Sequence, residues 1–138
     1  MAQLDISFQL IPHSEGGHPP LSVPLIQRTL REAVILKVGR QVIKDGQLQT
    51  KANDHGLDIF FLSKVVSRIH AEMWAKDGQL YVRDIGSSSG TFLNKMRLSP
   101  SGKGSRPYPL KDGDIVQFGV DYKGKTEGMC LLIVVNDD

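Results

Sequence analysis

Apolar and polar residues alternate over Ile6-Ser7-Phe8-Gln9-Leu10, the period of two expected of a strand with one face buried. Val34-Ile35-Leu36-Lys37-Val38 is nearly continuous in apolar character and predicts a more deeply buried strand. The same reasoning places strands at Leu57–Phe61, Ile69–Trp74, Gln79–Asp84, Thr91–Asn94, Ile115–Phe118 and Met129–Val135. No long window carries the apolar period of a helix, and turn sequences such as Lys76-Asp77-Gly78 and Lys111-Asp112-Gly113 separate the strands. Short strands so spaced predict an all-β fold, either a sandwich or a barrel. Three stretches read as loops: Pro12 to Pro24, Lys44 to Gly56, and Ser99 to Pro109 with its glycines and prolines. No repeat or low-complexity tract interrupts the pattern.

Composition narrows the picture. A chain of 138 residues with 40% hydrophobic and 23% charged residues suits one domain with its own core, and excludes wholesale disorder or a fibrous repeat. Seventeen basic against fifteen acidic residues leave a formal charge of +2, so bulk charge supports neither nucleic-acid nor membrane-surface binding, and any anion site must be local. The longest apolar run, Met129–Val135, is far short of the roughly 20 residues of a spanning helix. With no basic segment leading into an apolar one at the N-terminus, the chain is expected to be intracellular, cytoplasmic or nuclear, without membrane insertion. The single Cys130 allows no internal disulfide or cysteine zinc cluster and reads as a buried thiol.

One phosphate motif is misleading. Gly119 to Thr126 matches G-x-x-x-x-G-K-[ST], but a nucleotide loop needs a following helix to aim its amides at the phosphates. Here the β-type run from Met129 comes next, so the segment reads as a polar hairpin loop, and no cofactor is expected.

Three other segments combine tight-turn residues with anion-competent side chains: Val38-Gly39-Arg40, Ser67-Arg68-Ile69-His70, and Ser87-Ser88-Ser89-Gly90-Thr91-Phe92-Leu93-Asn94. A phosphate ester carries about −1.5 to −2 charge and three acceptor oxygens, so a site for one needs a forked cation, smaller hydroxyl donors and little competing acid. Arg40 provides the fork, while Ser67 and Arg68 offer a hydroxyl and a second cation. In order and spacing these segments, followed by Leu110 to Gly119, resemble the forkhead-associated (FHA) domain, whose patterns are G-R, S-x-x-H and N-G-x-x-x-N. All are kept except the first Asn of the third, where Ser89 stands.

The resemblance implies an FHA-type β-sandwich of two antiparallel sheets, eleven strands in all, whose loops at one end bind a phosphothreonine peptide. It implies one domain over residues 1–138, with a core from about residue 25 to 136 and an N-terminal strand plus Pro/Gly-rich loop before it. By position in the motifs, Arg40 and Ser67 contact phosphate, Arg68 and Ser88 add contacts, and residue 89 holds the peptide backbone. Ser89 is shorter than Asn and cannot present both carbonyl and amide, so that clamp is expected to be weaker or water-mediated. Lys64 is placed to contact peptide or phosphate, and Val65 to meet the residue three after the phosphothreonine. Gly39, His70, Gly90, Thr91 and Asn94 are expected to support the loops, with His70 a buttress rather than a base or metal ligand. Trp74, Tyr81, Phe92 and Phe118 read as core or sheet-face aromatics.

The wording of Ser63–His70, Ser87–Asn94 and Gln117–Gly124 is similar to the fungal FHA-RING ubiquitin ligases of mitotic checkpoint and septation control, and also to FHA domains of tail-anchored scaffolds in phosphatase–kinase complexes. Ser89 favours the ligase group. A RING needs several Cys and His ligands that this chain cannot supply, so any ligase activity would lie outside it. The expected function is thus a non-enzymatic, monomeric phosphothreonine reader that recruits phosphorylated partners. The competing reading is a scaffold module that binds partners without phosphate. A hydrolase using Ser67 and His70 lacks an acidic orienter.

Overall fold

Thirteen strands and no helix make up the described residues of the computed structural model, which are 5–13, 25–50, 56–120 and 127–136. In chain order they are β1 (Ile6–Pro12), β2 (Ile26–Leu30), β3 (Leu36–Arg40), β4 (Ile43–Lys44), β5 (Gln47–Leu48), β6 (Ile59–Phe61), β7 (Ala71–Lys76), β8 (Gln79–Asp84), β9 (Thr91–Leu93), β10 (Met96–Arg97), β11 (Tyr108–Leu110), β12 (Ile115–Val120) and β13 (Glu127–Asn136). One sheet runs β10-β9-β12-β13-β1-β2 and the other β11-β8-β7-β3-β6, with β4-β5 a separate hairpin. Pairing is antiparallel except between β3 and β6, which run parallel with Val38 opposite Ile59 and Arg40 opposite Phe61.

Alternation in the strands becomes a core. Ile6, Phe8 and Leu10 of β1 point inward, as do Ala71, Met73 and Ala75 of β7, and they meet Leu36, Leu80, Phe118, Leu131 and Ile133. Each large apolar side chain so buried contributes about 1.5–3 kcal/mol relative to exposure. Phe118 lies in the core, its ring 6.1 Å from that of Phe61, and Cys130 is buried. Trp74 and Tyr81, opposite one another across β7 and β8, stack at 5.9 Å with Arg83 over the indole, and Arg83 also pairs with Glu72 at 2.8 Å.

Several short elements differ from the sequence expectation. The stretch from Lys44 opens on the β4-β5 hairpin, turned by Asp45-Gly46 at φ 54° and 75°. Both central residues have positive φ, as a type I′ turn requires, and Asp-Gly is a favoured sequence for it. β2 pairs with β1 although its interior, Gln27-Arg28-Thr29, is polar; it is an edge strand, and Arg28 Nε donates to the Leu57 carbonyl at 2.9 Å. β11 begins inside the expected loop Ser99–Pro109. Ile69 stands outside β7 and is 64% exposed, and Val34 and Ile35 precede β3. Residues 14–24 of the first expected loop and 121–126 of the phosphate-loop look-alike lie outside the described residues; Gly119 and Val120 end β12, and Glu127 opens the strand β13 rather than a helix.

Strand direction gathers the chemistry. β3 and β6 end where β7 begins, β8 ends where β9 lies across the sandwich, and β12 ends at the same side. The segments after Arg40, before Ala71 and between Asp84 and Thr91 therefore share one end.

Candidate functional site

Gly39 decides how closely two of these segments approach. A Cβ built there would stand 2.1 Å from the Arg68 carbonyl oxygen, a backbone atom that cannot swing away, so only glycine lets the 63–70 segment lie against β3. That contact brings Arg40, the last residue of β3, beside Lys64, whose carbonyl accepts a long hydrogen bond from Arg40 Nη1 at 3.5 Å. Arg68 and Lys64 are exposed on the same segment.

Ser67 links this segment to the next. Its Oγ lies 3.4 Å from Ser88 Oγ and accepts from the Ser88 amide at 3.2 Å. Ser88 is exposed and Ser67 half-buried. Beneath them is His70, fully buried, whose Nδ1 accepts from the Ser67 amide at 3.0 Å and whose Nε2 donates to the Gly90 carbonyl at 2.8 Å. These partners fix a neutral imidazole with its proton on Nε2, because an amide only donates and a carbonyl only accepts. Burial pushes the His70 pKa below the ordinary 6.5, against smaller opposing pulls from the Gly90 carbonyl and the Asp84 carboxylate. Its edge packs on Phe118, ring centres 5.7 Å apart, so both nitrogens and the ring are occupied internally.

Asp84, at the end of β8, organises the 86–90 turn from below. One carboxylate oxygen accepts from the amides of Gly86 and Ser87, each at 2.8 Å, and the other from the Ser87 hydroxyl and from Thr91 Oγ1 at 2.8 Å. Ser87 Oγ in turn accepts from the Gly90 amide at 3.0 Å. Asp84, Ser87 and Thr91 are all buried, and among the described residues no buried side-chain polar atom lacks a partner. The sequence reading included Thr91 but not Asp84; the signal was an acid at a strand end followed by Gly-Ser-Ser-Ser, a chain of amides and hydroxyls seeking an acceptor.

Ser89 does not project freely. Its hydroxyl donates to the Val65 carbonyl, joining the two segments a second time. The same carbonyl crowds Gly119, where a Cβ would come within 2.4 Å of it and where φ is 89°, a conformation that favours glycine. Val65 is half-buried. Asn94 lies at the opposite end of β9, at φ 49°, with Oδ1 accepting from the Ile115 amide at 2.9 Å and Nδ2 donating to Asp114 at 3.1 Å. It fixes the β9-β10 turn rather than entering the Ser67–Ser88 cluster.

Arg97, absent from the sequence reading, borders that cluster. Its Nη2 donates to the Ser88 carbonyl at 3.3 Å and its Nε to the Ser99 carbonyl at 2.9 Å. Arg40, Lys64 and Arg68 lie on the segments that meet at Ser67, Arg97 reaches the Ser88 carbonyl, and among the described residues none of the four forms an ion pair with a carboxylate. The nearest acid, Asp84, is buried and saturated by donors. Such a gathering of guanidinium, ammonium and hydroxyl groups suits a multiply charged oxyanion. No group of three or more His, Cys, Asp or Glu converges among the described residues, so they offer no metal cage.

The FHA domain profile matches residues 36–119. The probable E3 ubiquitin-protein ligase dma1 of Schizosaccharomyces pombe is 55% identical over 69 residues, 50% of this chain and 26% of that protein. The E3 ubiquitin-protein ligase DMA1 of Saccharomyces cerevisiae is 40% identical over 105 residues, 75% of this chain and 25% of that protein. Human sarcolemmal membrane-associated protein is 38% identical over 109 residues, 78% of this chain and 12% of that protein. The chain therefore spans about a quarter or less of these relatives. Among solved structures, the kinase-interacting FHA domain of the Arabidopsis phosphatase KAPP superposes with TM-score 0.62 at 18% identity, covering 97% of both chains. The MEK1 FHA domain in complex with a HOP1 phosphothreonine peptide superposes with TM-score 0.54 at 20% identity, covering 94% of this chain and 97% of that one. The two-sheet topology, the loop cluster at one end and the match over residues 36–119 agree: this chain belongs to the forkhead-associated domain family.

Proposed function

We propose that this domain binds protein segments carrying phosphothreonine and recruits them to a larger protein. The observation that carries the reading is the pair of hydroxyls, Ser67 Oγ and Ser88 Oγ at 3.4 Å, on segments that also carry Lys64 and Arg68 and lie against Arg40, none of them ion-paired among the described residues. In it Arg40 and Ser67 take the phosphate oxygens, with Arg68, Ser88 and Lys64 adding contacts, and Val65 meets a flanking side chain. Ser89, its hydroxyl turned to Val65, acts by fixing the spacing between the two segments rather than by gripping the peptide backbone. Residues 1–138 act as one binding unit, monomeric in isolation, inside the cell, with no nucleic-acid ligand.

FHA domains are binding modules, and the cluster holds no nucleophile–base pair, since His70 spends both ring nitrogens on backbone groups. The likeness to the DMA ligases supports a substrate-recruiting role in a ubiquitin ligase whose catalytic part lies outside this chain. The second reading is a scaffold domain that holds partners without phosphate.

The deciding experiment measures binding to degenerate phosphothreonine, phosphoserine and unphosphorylated peptide libraries. Selective retention of phosphothreonine, abolished by Arg40→Ala, is the expected result. Equal retention of all three overturns the reader and favours the scaffold.

A further inference from the structure

Residues 86–111 contain Lys95, Arg97, Lys103, Arg106 and Lys111 and no Asp or Glu, a local charge excess in a chain whose formal net charge is only +2. The chain brings part of this stretch back against the 86–90 turn. The Gly102 amide donates to the Ser87 carbonyl at 2.9 Å, the Leu98 amide to the Thr91 carbonyl at 2.9 Å, and Ser99 Oγ to the Lys103 carbonyl at 2.7 Å. Arg97 and Lys103 therefore stand on the flank of the turn that carries Ser88.

Arg97 is held rather than loose. Nε and Nη2 donate to the carbonyls of Ser99 and Ser88, the guanidinium lies 5.8 Å over the Phe92 ring, and a Cβ on Gly90 would come within 3.0 Å of its Cζ. A guanidinium has five N–H donors. Two are spent here, so both on Nη1 and one on Nη2 remain for a ligand. Neither carbonyl cancels the charge, and Arg97 is exposed. A cation fixed in orientation loses little entropy on forming a forked hydrogen bond, which suits it to select an anion.

Resting on the phosphothreonine reading, we infer that Arg97, assisted by Lys103, forms a second anion subsite. It selects a negatively charged side chain, carboxylate or phosphate, close to the phosphothreonine on the stretch of peptide that crosses the 86–90 turn. Ser88 belongs to both subsites, with its hydroxyl beside Ser67 and its carbonyl on Arg97, so the two anions lie within a few residues of one another in the ligand. An extended peptide advances about 3.3–3.6 Å per residue, and alternate side chains share a face. The second charge is therefore expected two or three residues from the phosphothreonine.

The test uses this chain and phosphothreonine peptides flanked by alanine, with glutamate or phosphoserine placed singly at each of the three positions on either side. Wild type is expected to bind the best glutamate peptide about three- to tenfold more tightly than the alanine peptide, and the phosphoserine peptide more tightly still. Arg97→Gln, which keeps a hydrogen-bond donor without charge, should erase the preference, losing more affinity for the glutamate peptide than for the alanine-flanked one. Arg97→Lys should keep part of the preference, and salt near 1 M should suppress it in wild type. Equal binding of all flanks by wild type, or an equal loss by Arg97→Gln for charged and uncharged flanks, overturns the subsite. Unphosphorylated threonine in the alanine-flanked peptide tests the reader separately, because loss of that discrimination sinks the function and not merely its selectivity.

Discussion

Replacing Asp84 by alanine removes the acceptor on which the 86–90 turn is built. Four donors converge on its carboxylate: the amides of Gly86 and Ser87, the Ser87 hydroxyl and the Thr91 hydroxyl. Gly86 is half-buried and can turn to water, but the Ser87 and Thr91 groups are buried, at 1% and 0% exposure. Orphaning a buried donor costs about 1–3 kcal/mol, and three such donors with partial relaxation of the turn give an expected loss of about 3–5 kcal/mol. For a domain of this size that corresponds to a fall of roughly 10–20 °C in Tm. Urea denaturation of wild type and Asp84→Ala measures the loss directly, and hydrogen exchange at the Ser87 and Gly90 amides shows whether it originates at the turn. Phosphopeptide affinity should fall alongside, because Ser88 rides on the same turn. A loss below about 1 kcal/mol with unchanged protection at Ser87 and Gly90 would refute the account of Asp84 as the organiser of this end of the fold.

Arg40→Ala should lower phosphothreonine-peptide affinity at least about tenfold by isothermal titration calorimetry, with unfolding little changed, since among the described residues its side chain makes a single long hydrogen bond, to the Lys64 carbonyl. Gly39→Ala should do both kinds of damage, because its Cβ meets the Arg68 carbonyl oxygen at 2.1 Å and the 67–68 backbone must move; a stability cost of about 1–3 kcal/mol with at least tenfold weaker binding is expected, and wild-type affinity would be the contrary result. His70 has a folded-state pKa below 6.5, so as pH falls through about 6.5 the unfolded chain takes up a proton that the folded chain refuses. Stability is therefore full above that pH and lost below it until the folded-state pKa is reached. Urea midpoints at several pH values should show this loss in wild type and a shallower slope in His70→Gln, and identical slopes would contradict it.

Much of the sandwich was legible because its central strands carry strong patterns. Ile6–Leu10 alternates cleanly, Leu36–Val38 is apolar on both sides of one lysine, and Ala71–Lys76 and Gln79–Asp84 flank an Asp-Gly turn. The elements that escaped are edges or very short pairs. β2 places polar Gln27, Arg28 and Thr29 on a sheet rim, and β4, β5 and β10 have two residues each, too few to show a period. At the site, the glycines, hydroxyls and Arg40 are adjacent in short motifs and could be read together. Asp84 and Arg97 stand apart from those motifs, and their contacts depend on a carboxylate turning beneath a loop and a guanidinium reaching back from a neighbouring strand to Ser88. The sequence makes Ser89 a weakened peptide clamp, whereas its bond to Val65 crosses between segments that only the fold brings together.

The parallel pairing of β3 with β6 has its own consequence. Two parallel neighbours cannot be joined by a tight turn, so the chain leaving Arg40 must return to the other end of the sheet before it can enter β6 at Ile59. That journey starts at the cluster, and its hairpin, with Ile43 and Leu48 paired and solvent-exposed, rises within three residues of Arg40. Neither sheet's register depends on how long the journey is, and lengthening a surface loop costs little, about 0.6 kcal/mol per doubling. The domain thus carries, within three residues of Arg40, a stretch where residues can be inserted or exchanged without unsettling the fold.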